Sequence, residues 1–215
     1  MAIQTRQITL DSTSQYELPD AKTLEQASSL ELLDEKGSKV VFKDIYSPHE
    51  RTLVVFIRHF FCGMCEDYVR ALVADLPPPL LSQASPPTTL LIIGCGEPPA
   101  TAGYKQRTGC PFEIYCDPSR ALYSKLGMIQ DLGMGDTTPQ YAKSSIVGGT
   151  VKSMGNMLKA GLGVRHGGDY SQDGGEWVFE KGGELKWCRR MRNTRDHAEV
   201  AELKTVLGID NGGSQ

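Results

Sequence analysis

Cys62-Gly63-Met64-Cys65 carries the residue types and spacing best suited to chemistry in this sequence. The apolar run Leu53-Val54-Val55-Phe56-Ile57 precedes it, and a helical pattern from Glu66 to Ala74 follows. A Cys-x-x-Cys at a strand-to-helix junction sets two sulfurs at a helix N-terminus. Unpaired backbone N–H groups and the positive end of the helix dipole there stabilise a thiolate, the reactive form of cysteine. Thiol redox chemistry is the expectation, with one sulfur exposed at the helix start (Cys62) and its partner about one turn inside (Cys65).

Two other readings of the pair compete. A structural zinc site needs four ligands, usually as two close pairs. Cys95, Cys110, Cys116, Cys188, His49, His59, His166 and His197 are scattered and form no second pair, so no metal is expected. Two inert cysteines packing as small apolar residues is the other reading. Redox use is favoured because a Cys-x-x-Cys close to a βαβ pattern is a thioredoxin-like motif.

Arg58 and His59 lie just upstream and can add positive charge near the sulfurs. A cation at the end of a buried strand needs an anionic partner; a histidine there is more often a packing or hydrogen-bonding residue. Cys116 and Cys188 fall within predicted strands and read as core. Cys95, between Gly94 and Gly96 at a strand end, is a candidate extra redox partner, because α/β proteins place ligands at the C-terminal ends of strands. Cys110 falls in a loop.

These residues must be held by the elements around them. Thr23 is read as the cap of a short helix through Leu30. Glu31–Asp34 and Lys39–Phe42 read as a hairpin, Leu53–Arg58 as a buried central strand, and the helix after Cys65 as ending at Leu76 before Pro77-Pro78-Pro79. Thr88–Gly94 and Phe112–Cys116 are further strands, with a short helix over Tyr104–Thr108 between them and one capped by Ser119 after them. The order βαβαβα marks a mainly parallel sheet. Residues 127–170 break the rhythm with Gly and Met, and read as an insertion with one helix through Ile146, Val151, Met154 and Met157. Trp177–Phe179 and Leu185–Cys188 read as an antiparallel hairpin. Asp196 is read as the cap of a final helix bearing Val200, Leu203 and Leu207.

The 215 residues suit one domain: a flexible lead-in over 1–21, a single domain over 22–209 and a disordered tail over 210–215. An apolar share of 40%, a charged share of 23% and a net charge of −3 are ordinary for a globular protein and point to neither nucleic acid nor an anionic membrane. The basic stretch Arg189-Arg190-Met191-Arg192-Asn193-Thr194-Arg195 is read as a solvated strand end. No leader-like apolar core opens the sequence, and no apolar run is long enough to span a bilayer. The six cysteines therefore read as reduced thiols and the expected location is cytoplasmic. Trp177 and Trp187 belong either to the hairpin core or to an interface, and a homodimer is the assembly to look for.

The stretch Phe56-Ile57-Arg58-His59-Phe60-Phe61-Cys62-Gly63-Met64-Cys65 with Tyr68-Val69 resembles the peroxiredoxin-like 2 group of AhpC/TSA-type proteins. Asp117-Pro118-Ser119-Arg120-Ala121-Leu122-Tyr123 with Leu126-Gly127, Gly168-Asp169-Tyr170-Ser171-Gln172 with Gly174-Gly175, and Arg192–His197 agree in the same order. The resemblance implies an α/β thioredoxin-like fold: a central mixed sheet flanked by helices, with a helical insertion before the C-terminal hairpin. It implies a cysteine-based oxidoreductase or peroxidase; no cofactor is expected, and an external thiol such as thioredoxin or glutathione is the expected reductant. Two departures stand out. The Pro-x-x-x-Thr/Ser-x-x-Cys motif of typical peroxiredoxins would place its Thr/Ser at Cys62 and its reactive cysteine at Cys65. The cis-proline of thioredoxins falls near Gly174-Gly175, where no proline stands. Thioredoxin logic makes Cys62 the nucleophile and peroxiredoxin logic Cys65; Cys62 is favoured as the more exposed.

The expected reaction is reduction of a peroxide or a disulfide. A second reading is an enzyme acting on a specific organic substrate, such as an endoperoxide, a quinone or a secondary metabolite. Met154, Met157, Gly174 and Gly175 would then shape an adaptable pocket. A third is a redox-sensing binding module without turnover.

Overall fold

The structure, a computed structural model, describes residues 15–142, 155, 158 and 161–209. Helix α1 (Ala21–Ser28) opens the chain, followed by strands β1 (Glu31–Leu33) and β2 (Lys39–Val41) and the short helix α2 (Phe42–Tyr46). Then come β3 (Arg51–Phe56), α3 (Gly63–Asp75), α4 (Pro78–Gln83), β4 (Thr88–Gly94), α5 (Thr101–Thr108), β5 (Glu113–Cys116) and α6 (Ala121–Lys125). Strands β6 (Gly175–Glu180) and β7 (Glu184–Arg190) and helix α7 (Val200–Val206) complete the described chain.

The strands form one sheet in the order β2-β1-β5-β4-β3-β6-β7. β3, β4 and β5 are parallel; β1 on β5, β6 on β3 and β7 on β6 are antiparallel. Every residue of β3 is buried, which explains its unbroken apolar run. Leu53, Val55 and Ile57 pack on one face with Tyr68, Leu72 and Leu203, while Val54 and Phe56 pack on the other with Phe42, Tyr123 and Trp177. Helices thus cover both faces of a mixed sheet in a thioredoxin-like arrangement, and β3 delivers the chain to the cysteine pair at the start of α3.

Several local expectations change. Helix α1 is capped by Asp20, whose carboxylate accepts the Thr23 N–H at 2.7 Å; Thr23 lies inside the helix. Asp117, rather than Ser119 alone, serves the start of α6 by accepting the Leu122 N–H at 2.9 Å. Glu199 precedes α7, and Asp196 turns away to receive Gln15, Arg189 and Arg192. The lead-in is tied down from Gln15, whose amide donates to the Arg190 carbonyl at 2.8 Å.

The basic stretch is no solvated strand end. Arg189, Arg190 and Arg195 are buried. Arg190 donates to the Leu126 and Glu17 carbonyls at 2.6 and 2.7 Å, and Arg195 to those of Met134 and Gly135 at 2.6 and 2.8 Å. They fasten loops to β7, because a planar guanidinium satisfies several carbonyls at once. Trp177 is wholly buried in the core and so faces no interface. The expected insertion helix lies outside the described residues, as do Met154, Met157 and the tail over 210–215. Both ends of the insertion are tied to segments flanking the sheet: Asp173 N–H donates to the Ile129 carbonyl at 3.0 Å, and Glu97 N–H to that of His166 at 2.8 Å. Among the described residues no helix is long and apolar enough to cross a membrane.

Candidate active site

Cys62 is the N-cap of α3. Its extended backbone (φ −73°, ψ 110°) turns the sulfur over the first helical turn, where Sγ accepts the Cys65 N–H at 3.3 Å. The free helix end here serves a sulfur in place of the usual hydroxyl or carboxylate. Both cysteines are free thiols and both are buried, Cys62 at 4% exposure and Cys65 at none. Cys62 is the more accessible, but it is not the open sulfur expected at a helix start.

The loop between β3 and α3 is strongly held. Phe60 N–H donates to the Gly167 carbonyl at 2.9 Å, and the Phe60 carbonyl accepts from Arg107 at 2.7 Å. Arg107 also bonds the buried Glu66 at 2.7 Å and lies 5.2 Å above the Phe61 ring. On the inner side, Tyr104 OH donates to the Cys65 carbonyl at 3.2 Å.

Arg58 is the charge at the site. Nη1 lies 3.7 Å from Cys62 Sγ, Nε donates to Asp173 Oδ1 at 3.1 Å, and Nη2 donates to the Tyr170 carbonyl at 2.5 Å. The anion that a buried strand-end arginine requires is therefore Asp173. Sequence reading missed this residue: 115 positions separate the two, and only the pairing of β6 with β3 joins them. An acidic residue before a Gly-Gly pair and an apolar strand was the available signal.

The two thiols are driven apart. Cys62 is lowered to about 6, first by the hydrogen bond from the Cys65 thiol and then by the Arg58 charge and the Cys65 N–H, against the opposing effect of burial. Cys65 is raised, first by burial and then by its bond to Cys62. Burial lifts Asp173 to about 7 despite the pull of Arg58. One of its oxygens, Oδ2, is buried without a hydrogen-bond partner.

His59 adds no positive charge. Burial and, after it, Arg58 lower its ring to about 3, and Nδ1 accepts the Phe61 N–H at 3.3 Å. It packs edge-on against Tyr170 with centroids 4.5 Å apart. Cys95 is held as a thiol: burial raises it to about 12, and its S–H donates to the Arg58 carbonyl at 2.8 Å. Its place is behind Arg58, as an anchor for that residue's backbone. At Gly174 and Gly175 neighbouring backbone approaches closely. A Cβ on Gly174 would lie 1.9 Å from the Phe56 carbonyl oxygen, and one on Gly175 would lie 2.3 Å from the Arg189 carbonyl oxygen. Their lack of side chains lets β6 close on its neighbours. Among the described residues no cluster of His, Cys, Asp and Glu could hold a metal ion.

The model of the AhpC/TSA antioxidant enzyme family matches residues 72–193. Peroxiredoxin-like 2C of Homo sapiens is 30% identical over 186 residues, covering 86% of this chain and 80% of that protein. The Bos taurus protein of the same name is likewise 30% identical, with 86% and 79% covered. The chain belongs to the AhpC/TSA antioxidant enzyme family. Within this AhpC/TSA chain the family-model match begins inside α3, after both cysteines, so the reading of the Cys62–Cys65 pair rests on its own geometry. A solved Aquifex aeolicus structure, proposed as an electron transfer protein, shares the fold at 10% identity with a TM-score of 0.51, covering 87% of this chain and 93% of that one.

A pH dependence follows. Folded Cys62 binds fewer protons than an unfolded cysteine, so its contribution to stability is fully present above the unfolded value and is lost as pH falls through about 6. Asp173 works oppositely: its contribution is present below the ordinary carboxylate range and is lost as pH rises through about 7. The difference in urea stability between the wild type and C62S is expected to grow in favour of the wild type from pH 6 to pH 9. A difference that stays constant with pH would show that folding leaves the Cys62 thiol unshifted.

Proposed function

We propose that this chain is a thiol oxidoreductase in which Cys62 reduces a small hydroperoxide and Cys65 resolves the product. The observation that carries the reading is the Cys62 sulfur at the N-terminus of α3, with the Cys65 N–H at 3.3 Å and the Arg58 guanidinium at 3.7 Å. The Cys62 thiolate attacks one peroxide oxygen. An S–O bond forms, the O–O bond breaks, and the alkoxide takes a proton to leave as the alcohol. Cys62 is then a sulfenic acid. Cys65 attacks that sulfur, an S–S bond replaces the S–O bond, and the thiol proton leaves with the hydroxyl as water. Two equivalents of an external thiol, thioredoxin or glutathione by class, return the pair to its reduced state.

Two features support Cys62 as the nucleophile. It is the sulfur shifted toward the thiolate, whereas Cys65 is shifted away and wholly buried. The slight exposure of Cys62 also suits a small oxidant better than a protein disulfide, which must dock its backbone around the attacked sulfur. Arg58 is a donor beside the sulfur, and its charge favours the anionic transition state.

Mass spectrometry after a hydrogen peroxide pulse tests this. The wild type is expected to lose two hydrogens as the Cys62–Cys65 disulfide forms. C65S should stop at a Cys62 sulfenic acid trappable with dimedone, and C62S should leave Cys65 unmodified. Cysteines that remain reduced at doses sufficient to oxidise a typical peroxiredoxin would overturn the peroxide reading.

A further inference from the structure

Two of the sequence stretches that mark this chain, Asp117–Arg120 and Gly168–Gln172, meet at the segment that holds Arg58. Arg120 Nη1 donates to Asp169 Oδ2 at 2.6 Å. Each partner is fixed from its own side. Asp117 N–H donates to the Gly94 carbonyl at the end of β4 at 2.8 Å, and the Asp117 carbonyl accepts the Arg120 N–H at 3.0 Å. Asp117 Oδ1 takes the Ser119 hydroxyl at 2.6 Å, and Oδ2 takes the Leu122 N–H at 2.9 Å. Asp169 Oδ1 accepts both the N–H and the hydroxyl of Ser171, at 2.9 and 2.7 Å. Among the described residues, Arg120 alone of those other than glycine has a positive φ, at 59° with ψ 20°. An L side chain crowds its own backbone there, so a residue held in this region points to a demand on where its side chain goes.

The segment 167–173 carries Asp169 past the cysteine loop. At one end the Gly167 carbonyl accepts the Phe60 N–H at 2.9 Å, and at the other Asp173 N–H donates to the Ile129 carbonyl at 3.0 Å. Between these ends it gives Arg58 three acceptors: the Tyr170 and Gln172 carbonyls at 2.5 and 3.2 Å, and Asp173 Oδ1 at 3.1 Å. These occupy Nε and Nη2 and leave Nη1 at 3.7 Å from Cys62 Sγ. Because the guanidinium is a rigid planar fork, the place of this segment sets where the charge meets the sulfur.

We propose that the Arg120–Asp169 pair is a clasp that holds segment 167–173 where Arg58 meets Cys62. Arg120 and Asp169 are then positioning residues, acting through Arg58 and the segment. The inference rests on the Cys62 reading above and adds how its cation is placed. The two side chains are 32% and 37% exposed, so water screens the pair and it contributes little to global stability. Its effect is local: it removes the slack of a segment whose other ties lie at its two ends.

The test compares R120G, D169N and the double variant with the wild type. R120G removes the guanidinium and relieves the left-handed backbone; D169N removes the charge and keeps an acceptor for Ser171. Each single variant is expected to speed solvent exchange of the Arg58 Nε–H in nitrogen-15 NMR. Each should also raise the Cys62 thiolate midpoint at 240 nm by about half a unit, a factor of about three in that equilibrium. The double variant should move no further than either single one, because both break the same link. A charge acting through space predicts opposite shifts, since one variant loses a cation and the other an anion. A purely structural pair predicts lower melting temperatures with the midpoint unmoved. Either result overturns the proposal, and if one variant does not fold, unchanged Arg58 exchange in the other overturns it as well. Neither readout uses peroxide. Coupling in a protein whose cysteines stay reduced under peroxide would keep the clasp and overturn the peroxide reading; peroxide turnover with both readouts unmoved would do the reverse.

Discussion

Replacing Arg58 by methionine (R58M) is expected to move Cys62 from about 6 back toward an ordinary thiol and to slow its reaction with peroxide at pH 7, about tenfold where the midpoint rises by about two units. The guanidinium is the full positive charge held against the sulfur, at 3.7 Å. Its side chain is almost wholly buried, so solvent screens it weakly. Methionine preserves much of the volume but leaves the buried Asp173 carboxyl without its hydrogen-bond donor, and the fold should lose about 1–3 kcal/mol. The double variant R58M/D173N removes both charges and separates the effects: stability should recover while the thiolate does not. R58K is a further control, since lysine keeps the charge but not the fork that spans Asp173, Tyr170 and Cys62. Absorbance at 240 nm against pH reads the thiolate directly. If the midpoint in R58M/D173N stays near 6, the charge of Arg58 does not activate the sulfur.

The second large effect is expected at Gly174. Adding one methyl group (G174A) places a carbon 1.9 Å from the Phe56 carbonyl oxygen, well inside contact distance. Backbone, not the end of a flexible side chain, is what must move. Phe56 is in β3, paired on both sides, and Gly174 itself is bonded to Met191, whose N–H donates to its carbonyl at 3.0 Å. The cost should be about 3–5 kcal/mol, enough to unfold a large fraction of a marginally stable domain. Urea denaturation monitored by tryptophan fluorescence checks this, because Trp177 lies in β6, which begins at the next residue. A loss below 1 kcal/mol would show that β6 shifts freely against β3, and the placement of Asp173 against Arg58 would then be loose as well.

These expectations show where sequence reading works. The strand–helix reading of Leu53–Leu76 holds because its signals are local: an unbroken apolar run, a helical face and a proline stop. The short helices fared differently at their starts. Thr23, Ser119 and Asp196 each stand close to a helix beginning, but a cap is decided by which side chain the entering backbone turns inward. Asp20 and Asp117 were better placed, and Asp196 had a stronger attraction to arginines. The basic stretch was misread because charge in sequence looks like solvation. In the fold, Arg190 and Arg195 find carbonyls of loops about sixty positions away. His59 was open between charge donor and packing residue, and burial decides for packing by keeping its ring neutral.

The sequence by itself determined the mixed α/β order, the placement of two cysteines at the start of a helix and the need for an anion near Arg58. These follow from periodicity, from the helix end and from the cost of burying a lone charge. Only the tertiary structure decided which anion that is and which of the two sulfurs is shifted toward the thiolate. The anion depends on β6 lying against β3, which brings residues 173–176 to a site built from residues 55–65. Local chemistry, the Cys65 hydrogen bond and Arg58 four residues upstream, shifts Cys62 toward the thiolate; long-range strand pairing supplies the carboxyl that holds Arg58 in place.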